Sequence, residues 1–191
     1  MTTHTHDNPD VVQRQIEAFR RQKDKWMQES PDSPLDEHQR HTFAGLQYYP
    51  VDASYRVPAV MERDAQEHVI MIQTTKGDWR EYKHYGVLKF ELNGQPLTLN
   101  AYQPLGEHVH KGDKELFVPF RDRTAPKETY GAGRYLDQLR TREGSDEYII
   151  DFNRASNPWC AYSPNFSCTM PPPQNILPVE IRAGEKIFAE H

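Results

Sequence analysis

A chain of 191 residues with 28 acidic and 23 basic side chains carries a formal net charge of −5, and with both signs interspersed it lacks the concentrated positive face of a nucleic-acid binder. A hydrophobic share of 36% is low for a compact protein, while 11% aromatic residues is high for a disordered one, so the expected core is aromatic-rich and modest in volume. No apolar run approaches the roughly 18 residues of a membrane span, and two cysteines are too few for the disulfide framework of a small secreted domain.

The first residues, MTTHTHDNPD, have neither the positive start nor the apolar stretch of a secretory signal, so the chain is expected to be soluble and cytoplasmic, with residues 1–9 a disordered tail. From Asp10 to about Glu29 the residues Val12, Ile16, Phe19, Trp26 and Met27 recur at helical spacing, broken by Lys23. This predicts an amphipathic helix over residues 10–29, with Arg14, Arg20, Arg21 and Lys25 on a solvated face. Ser30-Pro31 ends it, because the residue before proline resists helical dihedrals. The segment up to Gly45 predicts turns and one short helical turn.

Beyond Tyr48 the period becomes two, and residues 30–191 are expected to form one β domain. Candidate strands are Tyr55–Glu62, His68–Thr75, Trp79–Tyr85, Gly86–Leu92, Leu97–Tyr102, Glu115–Phe120, Tyr130–Leu136, Glu147–Phe152 and Val179–Arg182. Asn93-Gly94 is the dipeptide of a tight hairpin. Leu88, Phe90 and Leu92 before it share one face, which Leu97, Leu99 and Ala101 continue. In ELFVPF both alternating sets are apolar, so Phe117 needs a cover as much as Leu116, Val118 and Phe120 do. The fold class expected is mainly β: a single antiparallel barrel or sandwich of about eight strands, crossed by the N-terminal helix.

Polar side chains concentrate in RDRTAPKETYGAGR, residues 121–134. If this stretch is extended, Glu128, Tyr130 and Arg134 share a face that, with Arg121 and Asp122, suits an anionic ligand, since arginine offers a bidentate fork and the flanking glycines free backbone donors. The same residues equally describe a glycine bulge at a barrel corner, with Arg134 paired to Glu128 or Asp122. Asp151 and Asn153 follow a strand, either as a general base with its orienting partner or as caps of the next turn, and Asn157 reads the same way.

From Asp151 to Pro178 the chain holds both cysteines, six prolines and four asparagines without one glycine, so residues 153–178 are expected to form a rigid loop, the most promising place for function. Cys160 and Cys168 admit four readings: buried thiols, a disulfide, a metal pair completed by His108 and His110, or a nucleophile. C-x7-C and H-x-H are not structural-zinc spacings, so no metal is assigned. The aromatic residues of the strands wall either a packed core or a pocket. The expected function is binding of a small polar or anionic molecule; the alternative is a hydrolase with Asp151 or Glu128 as base, metal-assisted or not. Neither a nucleic-acid nor a membrane partner is expected. No cofactor or oligomeric state is specified.

Several stretches together resemble the prokaryotic domain-of-unknown-function family 1684: EAFRRQKDKW, FAGLQYYPVDASYRV, YGVLKFEL, LFVPFRDRT, ETYGAGRYLD, DFNRASNPWCAYSPNFSC and PPPQNILPVEIRAGEK, from Glu17 to Lys186. The resemblance implies no activity and no catalytic residue.

Overall fold

The computed structural model describes residues 8–105, 115–140 and 145–188. The expectation for residues 1–9 falls mostly outside them, as does the pair His108 and His110. Helix α1 spans Pro9–Glu29, opened by the Asn8 side chain accepting from the Asp10 amide at 3.0 Å, with Pro9 in the first turn. Val12, Ile16 and Met27 are buried. A short α2, Glu37–Thr42, carries a capping box between Asp36 and Gln39. No helix of the described residues is long and apolar enough to cross a membrane.

Seven antiparallel strands follow: β1 Arg56–Arg63, β2 Val69–Gln73, β3 Trp79–Leu92, β4 Gln95–Pro104, β5 Glu115–Phe120, β6 Arg134–Arg140 and β7 Glu147–Asp151. They curl into a half-barrel in the order β6-β5-β4-β3-β1-β7, with β2 beside the first half of β3 and β1 beside its second half. Asn93 and Gly94 both take positive φ, as the hairpin requires. Leu88, Phe90, Leu97, Leu99, Leu116, Val118 and Phe120 then share the main core.

Three strand expectations are corrected. Trp79–Tyr85 and Gly86–Leu92 are one strand, bent by a register shift between His84 and Gly86; the bulge reverses side-chain parity, so Tyr82 packs with Ile72 and Tyr102 in a separate cluster while Leu88 lies in the main core. Tyr130–Leu136 begins only at Arg134, because residues 123–128 and 131–132 form turns. Val179–Arg182 has no strand partner; it belongs to an irregular strap whose Leu177, Ile181 and Ala183 plug the half-barrel.

The strap also closes a gap in the sheet. β4 and β5 share a single register pair, Tyr102 with Phe117, and Asn175 fills the opening: its Oδ1 accepts from the Asn100 amide at 2.8 Å, and its Nδ2 donates to the carbonyls of Asn100 (2.9 Å) and Pro119 (2.7 Å). A buried side-chain amide thus supplies bonds that a neighbouring strand otherwise provides.

Candidate functional site

On the face opposite the plugged core, α1 and the loop of residues 153–178 flank a groove of about 1280 Å³ over the sheet, enough for a drug-sized or longer ligand. Its floor is Tyr82, Phe117 and Tyr135, with Phe117 5.4 Å from Tyr82 and 4.7 Å from Tyr135 between ring centroids. The outer strand face flagged by ELFVPF therefore has its cover, but an incomplete one. Trp159 forms part of the loop wall, stacking on Trp26 of α1 at 6.2 Å and meeting Phe166 edge-on at 5.1 Å.

Among the described residues the groove's charged lining is cationic: Lys23, Arg80 and Arg154, with no Asp or Glu. Lys23 is ion-paired to Glu185. The Arg154 guanidinium lies 4.8 Å over the Phe19 ring. Arg80 donates to the Ser167 carbonyl at 2.6 Å, a neutral acceptor that leaves its charge in place. Its acidic neighbour Asp78 is bonded to the Thr74 and Ser167 hydroxyls, which hold that carboxyl below the usual range. Asn157 adds an acceptor: it is 5% exposed, its Nδ2 donates to the Lys186 carbonyl at 2.8 Å, and its buried Oδ1 has no partner among the described residues.

Of the candidate site residues picked out from sequence, Asn157 and Cys168 line this groove. Arg134 is 1% exposed and lies beneath the strap, where its Nη1 donates to the carbonyls of Ala183 (2.5 Å) and Glu185 (3.0 Å), and its Nη2 to the Ile181 carbonyl (2.9 Å) and Asp122 (3.1 Å). Asp122 also accepts from the Ile181 amide at 2.7 Å. Arg121 pairs its backbone with Asn175 and Leu177. Glu128 does not share a strand face with Arg134; it binds Tyr49 and Arg182, and Arg182 followed by Tyr49 holds its carboxyl below the usual range. That makes Glu128 a weaker base, the reverse of what proton abstraction needs. Asp151 accepts from the amide and side chain of Asn153 and faces Arg56 at 3.4 Å, while Asn153 is fully buried and also grips the backbone of Asp52.

The sequence did carry signals for the groove. Lys23, which interrupts the apolar stripe of α1, does so because it meets Glu185. Arg154 and Trp159 both lie in the glycine-free loop. Arg80 had no local signal, since its role depends on Ser167 arriving from a distant segment. The solvated face expected for α1 also needs correcting: Arg20 donates to the Tyr49 carbonyl at 2.8 Å and lies over the Tyr48 ring, and Asp24 accepts from the Leu46 amide at 3.1 Å.

The two cysteines meet in the loop wall, where Cys168 is among the groove's lining residues. Both are free thiols, Cys160 part-exposed and Cys168 buried. The Cys160 amide donates to the Cys168 sulfur at 3.2 Å, and Tyr130 Oη lies 3.6 Å from the Cys160 sulfur. The Cys168 thiol donating to the Cys160 sulfur, helped by Tyr130 and Thr75, brings Cys160 down to about 6 against the opposing effect of burial. The same bond, then burial, pushes Cys168 up. Among the described residues no cluster of three or more His, Cys, Asp or Glu side chains could hold a metal.

Residues 41–186 match the family described as "Protein of unknown function (DUF1684)". The fold and sequence are similar to the solution NMR structure of the uncharacterised protein from gene locus rrnAC0354 of Haloarcula marismortui. The two are 35% identical, with a TM-score of 0.71 over 95% of this chain and 97% of that one. No curated protein matches the chain.

Proposed function

We propose that this chain, which belongs to the DUF1684 family of proteins of unknown function, binds a small anionic molecule with an apolar or aromatic body in the groove between α1 and the sheet. One observation carries the reading: in a protein with a surplus of acidic residues, the described charged residues lining the aromatic-floored groove are cations, with no carboxylate among them. Such a lining favours a negative group on the ligand. The flat rings accept an apolar or planar body. The hydrolase alternative gains no support, because Asp151 and Glu128 are taken up by other partners and neither lines the groove. A cytoplasmic setting remains part of this proposal.

Fluorescence titration with anilinonaphthalene sulfonate, set against the neutral phenylnaphthylamine, tests the reading at neutral pH. The sulfonate should bind more tightly than its neutral analogue, and Arg80→Ala should weaken it roughly three- to tenfold, as expected for loss of one charge-assisted contact. Arg14→Ala, exposed on α1 and outside the groove, should leave it unchanged. Equal binding of both probes, insensitive to Arg80, would sink the proposal.

A further inference from the structure

Of the two cysteines, Cys168 is among the residues lining the groove and Cys160 is not, and neither offers a ligand a positive charge or a ring. Its arrangement is asymmetric. Cys160 is part-exposed, while Cys168 is 7% exposed, packed into the loop and pinned by Thr75, whose hydroxyl accepts from the Cys168 amide at 3.1 Å and whose amide donates to the Cys168 carbonyl at 2.8 Å. The Tyr130 hydroxyl lies 3.6 Å from the Cys160 sulfur, and the Cys160 amide is bonded to the Cys168 sulfur at 3.2 Å. A donor at a sulfur stabilises thiolate over thiol, and a part-exposed thiolate beside a second, buried thiol is the arrangement of an attacking sulfur with its resolving partner.

We propose that Cys160 and Cys168 form a hydroperoxide-reactive dithiol, with Cys160 the attacking sulfur and Cys168 the resolving one. The Cys160 thiolate attacks the terminal oxygen of a hydroperoxide; the O–O bond breaks, the alcohol leaves with a proton, and Cys160 becomes a sulfenic acid. The Cys168 sulfur then attacks the Cys160 sulfur, the S–S bond forms as the S–O bond breaks, and the departing hydroxide takes up the Cys168 proton as water. Two thiols and one hydroperoxide thus give a disulfide, one alcohol and one water, with the peroxide reduced and the sulfurs oxidised. The Cys160 amide already reaches the Cys168 sulfur at 3.2 Å, so the two residues are neighbours, and the bond forms as the sulfurs close to about 2 Å.

The disulfide would tie residue 160 to residue 168 around Phe166 and immediately after Trp159, the two rings that meet on the groove wall. Oxidation therefore fixes the shape of that wall. The chemistry does not require a ligand in the groove, so it stands or falls separately from the binding reading.

The test exposes the folded protein to one equivalent of hydrogen peroxide and maps the cysteine peptides. Peptide mapping is needed because the half-exposed Met71 can also take up oxygen. The expected product is a peptide pair joined Cys160 to Cys168, short of two hydrogens and restored by reductant. Cys168→Ser should stop the reaction at a Cys160 sulfenic acid trapped by dimedone, and Cys160→Ser should leave Cys168 unmodified. Alkylation of Cys160 in the wild-type protein should rise through a midpoint near pH 6, and at that pH run roughly tenfold faster than in the urea-unfolded chain, after allowing for the lower nucleophilicity of a low-pKa thiolate. The proposal is overturned if the folded wild-type protein keeps both thiols under peroxide that oxidises the unfolded chain, or if Cys168 is modified first.

Discussion

Arg134 shows how far a residue's chemistry underdetermines its use. Its fork is the kind of group that binds an anionic ligand, but here it binds three backbone carbonyls of the strap and the carboxylate of Asp122, all out of solvent. Removing one partner of a buried pair leaves the other charged and uncompensated. Arg134→Ala should therefore cost about 3–5 kcal/mol of stability by urea unfolding, and Arg134→Lys should recover only part of it, because an ammonium lacks the planar fork. A loss below about 1 kcal/mol would mean the strap is held by apolar packing alone. The asparagines teach a related point. Their local turn-capping habit is legible in the sequence, and Asn153 does bond back to Asp151, but the same side chain also grips Asp52, and Asn157 reaches Lys186.

Among the elements, the weak junction is between β4 and β5, where one register pair remains and Asn175 bridges the rest. Substituting alanine leaves one buried amide and two carbonyls short of partners, at about 1–3 kcal/mol each before relaxation. Asn175→Ala should lower stability by several kcal/mol and raise hydrogen exchange at the Asn100 amide. If that amide stays protected, another group closes the gap. Nearby, Gly133 has φ +97°, and a Cβ there would lie 2.6 Å from the Phe120 carbonyl oxygen and 2.7 Å from Pro171. The glycine-rich turn in YGAGR thus serves close packing of the proline run against the start of β6, in keeping with the structural reading of that motif. Helix α1, whose outline the hydrophobic period predicts well, carries an inward set of charges that the period does not distinguish from solvated ones.

For the molecule as a whole, Glu185 is the point where separate parts join. Fully buried, it takes an ion pair from Lys23 of α1, the Asn157 amide of the loop at 2.8 Å and the Tyr162 hydroxyl at 2.5 Å. The helix and loop walls of the groove therefore share one anchor on the strap. Glu185→Ala should destabilise the protein by about 3–5 kcal/mol and make α1 more open to proteolysis than in the wild type. Unchanged cleavage of α1 would show that Val12, Ile16 and Met27 suffice to dock it. A protein with few apolar residues for its size has reason to join its parts in this way, since charge and amide bonds add to a core that is modest in volume.

The order of residues by itself determined the helix, the Asn93-Gly94 hairpin and the mainly β architecture. Each follows from local dihedral preference and hydrophobic period, properties of neighbouring residues that survive without the rest of the chain. Only the tertiary structure decided which charges are spent inside and which line the groove, and that two thiols and a tyrosine converge. A guanidinium or carboxylate is set to its use by whatever partner lies within about 3 Å. For Arg134 those partners include residues as far along the chain as Glu185, and for Arg80 the partner is Ser167.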